Sequence, residues 1–342
     1  MKIRVIALLL LVGLLMTACT TVPENPTEGT EPEPSDTTTQ STPTEGEEEP
    51  VDLFASLFPV DGAIPSKTEI VSLTNEMMDH IGRSGRITEI NYTWKNGKAS
   101  MEVLSGQYDN YLNNEAPEES PLQLVYDESE YYNYVLYLPE GYDPADTEKK
   151  WPVIYFFHGI GEIGSDLNVL LPYGPLRYIN KGGKLDAIVI APQCPAGSHW
   201  ADHDLEEEKL VQFVPEMTAK YNIDTDRMYL TGLSMGGRCT WKLALAMPDT
   251  FAAIAVVCGR SNTFDFSQIQ NMPVWMFHGA QDDTVMFDNV TRLLKELHQQ
   301  EHSYYKLTVY PGMSHEIWAT VYDRPDVYNW LLSQSLSDNQ AE

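Results

Sequence analysis

Basic residues are scarce in this sequence: 22 lysines and arginines stand against 50 aspartates and glutamates, a formal net charge of −28. A chain so acidic is repelled by nucleic-acid phosphates and by anionic lipid surfaces, which argues against both as partners. Cysteine is scarce too, with four in 342 residues. Setting aside Cys19, treated below, leaves Cys194, Cys239 and Cys258, an odd number next to apolar segments. That pattern predicts buried free thiols and no disulfide framework. Long apolar runs are also lacking. The most apolar one, Val5 to Met16, is too short to span a bilayer as a mature helix. No internal repeat is visible. The hydrophobic and aromatic fractions, 42% and 11%, are those of an ordinary packed protein.

What is present begins with an address. Lys2 and Arg4 precede the apolar run, which ends in Leu15-Met16-Thr17-Ala18-Cys19. This resembles a bacterial lipobox, so residues 1–18 are expected to be a lipoprotein signal peptide and Cys19 the lipidated residue. Two or three acyl chains would anchor the protein stably, and its only membrane contact would be that anchor. Residues 19–50 follow as Thr, Pro, Glu, Ser and Gly, with nine acids and no base between Thr20 and Pro50. Such a composition cannot bury enough apolar surface to offset chain entropy, and it predicts an extended, self-repelling tether.

Residues 51–121 read as a small accessory segment. Ile70, Leu73, Met77 and Ile81 have helical spacing within Thr68 to Ile81. Further on, Ile90, Tyr92 and Trp94 alternate with polar residues, and Asn96-Gly97 offers a hairpin turn before Ala99 to Leu104. From residue 122 to about 336 the rhythm changes. Apolar, β-rich runs at Tyr134–Leu138, Val153–Phe157, Ala187–Ala191, Met228–Leu233, Ala252–Val257, Val274–Phe277 and Tyr304–Tyr310 alternate with helical patterns. The helices are Leu210–Tyr221, Gly237–Met247 and Asn289–Leu297. This predicts an α/β fold with a mostly parallel central sheet covered by helices on both faces.

Gly232-Leu233-Ser234-Met235-Gly236-Gly237 joins the strand Met228–Leu233 to a helix. A serine on so sharp a strand-to-helix turn needs flanking glycines, because a side chain there would clash. The turn exposes the hydroxyl at the positive end of the helix, which marks Ser234 as a candidate nucleophile. A hydroxyl nucleophile needs a base, and the base needs an orienting acid. The strand Val274–Phe277 runs into His278-Gly279-Ala280-Gln281-Asp282-Asp283, and Tyr304–Tyr310 into Pro311-Gly312-Met313-Ser314-His315. His315 is the candidate base. Asp282 and Asp283 both stand where the acid should be, and Asp265, after the preceding strand, is a weaker rival. Backbone N–H groups of Met235 and of Ile160, in the loop after Val153–Phe157, are the candidate oxyanion donors.

The other histidines have plainer readings. His80, His298 and His302 belong to or adjoin helical segments and read as surface residues. His158 and His278 end strands and read as structural. His199 and His203 have the spacing of helical metal ligands, with Asp202 and Asp204 nearby, but no third clear ligand, so no metal is expected.

Several pieces in order carry a resemblance: Tyr137-Leu138-Pro139-Glu140-Gly141-Tyr142, Phe157-His158-Gly159-Ile160-Gly161-Glu162, Ala191-Pro192-Gln193-Cys194-Pro195, the elbow at Ser234, His278-Gly279-x-x-Asp282, and Ser314-His315-Glu316-Ile317-Trp318. The stretch from Tyr134 onward resembles the bacterial α/β-hydrolase group labelled predicted peptidases. It is similar to small carboxylesterases, feruloyl-type esterases and the catalytic domain of prolyl oligopeptidases. The resemblance implies the α/β-hydrolase fold, no cofactor, a Ser234-His315-Asp282 triad with Asp282 preferred over Asp283, and acyl transfer to water. Ile163 departs from the pattern, where an arginine is common, and this bears on substrate contacts but leaves the triad intact. A dienelactone-type enzyme would have cysteine at 234.

The expected function is hydrolysis of carboxylic esters, free or linked to plant polysaccharides and including feruloyl or acetyl esters, at the outer face of a bacterial envelope. Gln193, Trp200 and Trp318 are candidate substrate contacts. A serine peptidase of short peptides is one alternative, ranked lower because the chain leaves no room for the propeller of prolyl oligopeptidases. A non-catalytic surface lipoprotein that binds a ligand on the same fold is the alternative of another class.

Overall fold

In the first run after residue 150, Trp151 to Phe157, every residue is buried, so both faces of that strand are covered. The computed structural model describes residues 87–105, 114–200 and 204–341. The expected signal peptide, the tether, Cys19, the helix at 68–81, His80 and His203 lie outside them.

Among the described residues ten strands form one sheet: β1 (Ile87–Lys95), β2 (Lys98–Ser105), β3 (Gln123–Val125), β4 (Tyr134–Tyr137), β5 (Trp151–Phe157), β6 (Ile188–Pro192), β7 (Ile223–Leu233), β8 (Ala253–Val257), β9 (Val274–Gly279) and β10 (Tyr304–Tyr310). Their spatial order is β2-β1-β10-β9-β8-β7-β5-β6-β4-β3. The six central strands β5 to β10 run parallel. β3 and β4 pair antiparallel at one side, and β1 and β2 at the other.

Alternate residues of each strand feed opposite cores, as a period of two requires. Val153, Tyr155 and Phe157 join one cluster with α2 (Asp204–Lys220), α3 (Met235–Ala246) and α4 (Asp288–Gln299). Ile154 and Phe156 join the other with α1 (Gly174–Asn180), α5 (Trp318–Tyr322) and α6 (Pro325–Leu332). A last helix, α7, spans Leu336–Ala341. Burying a side chain of this size contributes about 1.5–3 kcal/mol, so the two-sided sheet is the main source of stability.

The strands and helices expected within the described residues are present, with β3, α1 and α5 to α7 in addition. These five are short, from three to eight residues, and carry too little periodicity to read in sequence. The accessory hairpin turns at Asn96 and Gly97, whose φ of 48° and 78° are those of a primed two-residue turn. β1 pairs edge-on with β10, from Ile90 opposite Val309 to Lys95 opposite Tyr304, and so extends the sheet.

Candidate active site

Ser234 stands between β7 and α3 with φ 52° and ψ −113°, a conformation that side chains rarely adopt. Its N–H donates to the Val257 carbonyl at 2.9 Å, tying the turn to the end of β8. Two flanking glycines make the turn possible. A Cβ on Gly232 would strike the Gly236 carbonyl, and one on Gly236 would strike the Phe157 carbonyl. The second approach sets the start of α3, with Met235, against the turn after β5 that carries Ile160. Ile160 is 64% exposed on that turn.

The loops after β9 and β10 are laced together through their backbones. Ala280 N–H donates to the Tyr310 carbonyl at 3.0 Å and Gln281 N–H to Met313 at 2.9 Å, while a Cβ on Gly279 would collide with the Ser314 carbonyl. This lacing brings an acid and a base from different loops together. His315 Nδ1 lies 2.7 Å from Asp282 Oδ2, and His315 Nε2 lies 2.9 Å from Ser234 Oγ. The geometry separates the rival acids. Asp282 is buried, whereas Asp283 is exposed and bonded by the Thr284 hydroxyl, and Asp265 is an exposed cap on Ser267.

Asp282 accepts from four directions. Oδ1 takes the Thr284 and Val285 N–H groups at 2.9 and 2.8 Å; Oδ2 takes His315 and, at 3.1 Å, His278 Nε2. Burial by itself would raise the carboxyl, but bonds from His278, His315 and the Val285 N–H outweigh it and hold the pKa down to about 2. Asp282 is thus ionised at neutral pH.

His158 secures the turn after β5. Its Nε2 accepts from Cys194 N–H at 2.9 Å, which leaves Nδ1 to donate to the Gly159 carbonyl at 2.6 Å. Burial pushes its pKa down to about 4, so the ring is neutral at pH 7 and this tautomer fits both bonds.

The three candidate substrate contacts separate. Trp318 is half-buried, with its ring edge-on to His315 at 5.9 Å, and Tyr173 lies 6.3 Å beyond it. Gln193 is buried and donates through Nε2 to the Glu162 and Asp166 carbonyls at 2.9 and 3.1 Å, so it clamps the loop behind Ile160 instead of facing substrate. Trp200 is fully enclosed between Tyr132, Phe157 and His158, because its indole fills the gap between β5 and the core under α2. It is a core residue and not a cleft wall.

Two residues at the site went unassigned in sequence. Glu162 is buried, its pKa raised by that burial, and its carboxylate accepts from Tyr173. The Glu of the Gly-x-Gly-Glu run was a visible signal; Tyr173, on an unpredicted helix start, had none. His302 is a correction: it is buried, because the chain turns inward at Glu301 (φ 54°) and lays the ring beside Tyr305. The three described cysteines are free and buried. Among the described residues no group of three or more His, Cys, Asp or Glu is placed to hold a metal ion.

Residues 199–329 match the model of the Dienelactone hydrolase family. The chain is 34% identical over 118 residues to a bifunctional acetylxylan esterase/xylanase of Neocallimastix patriciarum, covering 34% of this chain and 17% of that one. It is 31% identical over 130 residues to a probable feruloyl esterase C of Aspergillus terreus, covering 37% and 46%. The chain therefore spans less than half the length of these two relatives. Among solved structures, a thermostable esterase superposes with a TM-score of 0.51 at 24% identity, over 70% of this chain and 67% of that one. Strand order and structural likeness together give this chain the α/β-hydrolase fold.

Proposed function

We propose that the protein is a serine carboxylic-ester hydrolase, and the continuous chain of contacts from Ser234 Oγ through His315 to Asp282 carries the proposal. His315 Nε2 takes the hydroxyl proton as Ser234 Oγ attacks the ester carbonyl. Asp282 Oδ2, ionised, holds Nδ1–H and stabilises the imidazolium that forms. Ile160 and Met235 N–H groups receive the oxyanion. His315 then gives its proton to the departing alcohol, and a water molecule, activated by the same imidazole, releases the acid from the acyl-enzyme.

The favoured substrates are acetyl or feruloyl esters of plant polysaccharides. The names of the two relatives and the Trp318–Tyr173 pair beside His315 support this, since aromatic faces suit a sugar or a phenolic ring. The protein works at the outer face of a bacterial envelope, anchored through Cys19, a reading supported by residues 2–19 and the acidic stretch that follows.

The test is turnover of p-nitrophenyl acetate, butyrate and ferulate and of acetylated xylan. Ser234→Ala is expected to lower it by at least about 10⁴-fold. Folded wild-type protein inert toward every ester would overturn the proposal.

A further inference from the structure

His278 sits on β9, whereas Asp282 sits on an irregular turn four residues on. Its Nε2 lies 2.7 Å from the Val285 carbonyl and 3.1 Å from Asp282 Oδ2. Both neighbours are acceptors, so Nε2 carries a proton and shares it between them. The ring is buried and is flanked by Phe287 at 6.0 Å. It therefore has little freedom to turn away.

A carboxylate rotates easily about its Cβ–Cγ bond, for that torsion is broad. The turn amides of Thr284 and Val285 fix Oδ1 alone. Without His278, Oδ2 would be held by His315 only, the group whose charge changes during the proposed reaction. We propose that His278 is a positioning residue: its Nε2–H anchors Asp282 Oδ2 to the sheet, so that the carboxylate keeps its aim at His315 Nδ1 through each proton transfer. The same hydrogen explains why the turn bends back, since it also binds Val285, the residue that donates to Oδ1.

This rests on the triad reading above, and the test separates the two. His278→Leu removes the donor; His278→Gln restores an N–H at nearly the same reach; His278→Asn is too short. With p-nitrophenyl acetate, the leucine variant is expected to lose about 10- to 100-fold in kcat with KM within about twofold, as losing an outer-shell support typically does. Glutamine should recover most of that loss. The second readout needs no substrate: the NMR resonance of the His315 Nδ1 proton, sharp in the wild type, should broaden through exchange in the leucine variant and sharpen again in the glutamine variant. If the leucine variant does not fold, the asparagine variant takes its place against glutamine. Wild-type kcat with a sharp resonance in the leucine or asparagine variant, or a glutamine variant no better than either, overturns the proposal. An inert wild type defeats the ester reading alone, because the resonance still decides the role of His278.

Discussion

At residue scale, two adjacent aspartates show how little separates an enclosed charge from a charge in solvent. Asp282 and Asp283 are chemically identical, yet one is enclosed by four donors and the other faces water. Asp282→Asn should lower kcat for ester hydrolysis by about 10⁴-fold, since the amide favours the wrong His315 tautomer. Asp283→Asn should stay within about threefold, and equal losses in both would show that the acid has been misassigned. Sequence and chain order left the two open, and only resemblance favoured Asp282. The discriminating fact is burial on a turn, which no local pattern encodes. Trp200 makes the same point in reverse. Its place in a polar loop gave no sign that the indole is drawn wholly inside.

At the scale of elements, the β1–β2 hairpin covers an edge that β10 would otherwise expose, an invitation to pairing with other chains. It is fastened by a buried ion pair. Glu89 Oε2 accepts from Arg324 at 2.6 Å, and the side chains are 2% and 8% exposed. Arg324 also donates to the Tyr310 hydroxyl at 2.9 Å and to Asp326. Glu89→Ala leaves that guanidinium short of a buried partner and should cost about 3 kcal/mol, at the lower end for such pairs because Asp326 remains. Urea unfolding measures it, and a cost below about 1 kcal/mol would mean that the hairpin is held by strand pairing alone. The hairpin itself was legible, from alternation and Asn96-Gly97. Its docking was not, because pairing across more than 200 residues with β10 leaves no trace in either segment.

For the whole molecule, the response to acid follows from its buried histidines. An unfolded histidine titrates near about 6.5. In the folded state burial takes His158 to about 4 and His302 to about 3. Between those values the unfolded chain binds protons that the folded chain refuses, so stability falls as pH drops from about 6.5 toward 3. Each such site contributes a slope of about 1.4 kcal/mol per pH unit within its window. Asp282, held to about 2, acts in the same direction below about pH 4. His302→Leu should flatten the dependence of the urea midpoint on pH between about 6.5 and 3 while leaving ester turnover at pH 7 unchanged; an unaltered slope would mean that His302 titrates normally. Sequence alone determined the parallel α/β architecture, the sharp glycine-flanked turn at Ser234 and the placing of His315 just past the end of β10. Those depend on local periods, on glycines that a sharp turn demands and on residues placed at strand ends. Tertiary structure decided which carboxylate is enclosed, which aromatic borders His315 and which is core, that His302 is inside, and that the hairpin extends the sheet. Each of those depends on segments far apart in the chain meeting with water excluded between them, and no single segment carries that information.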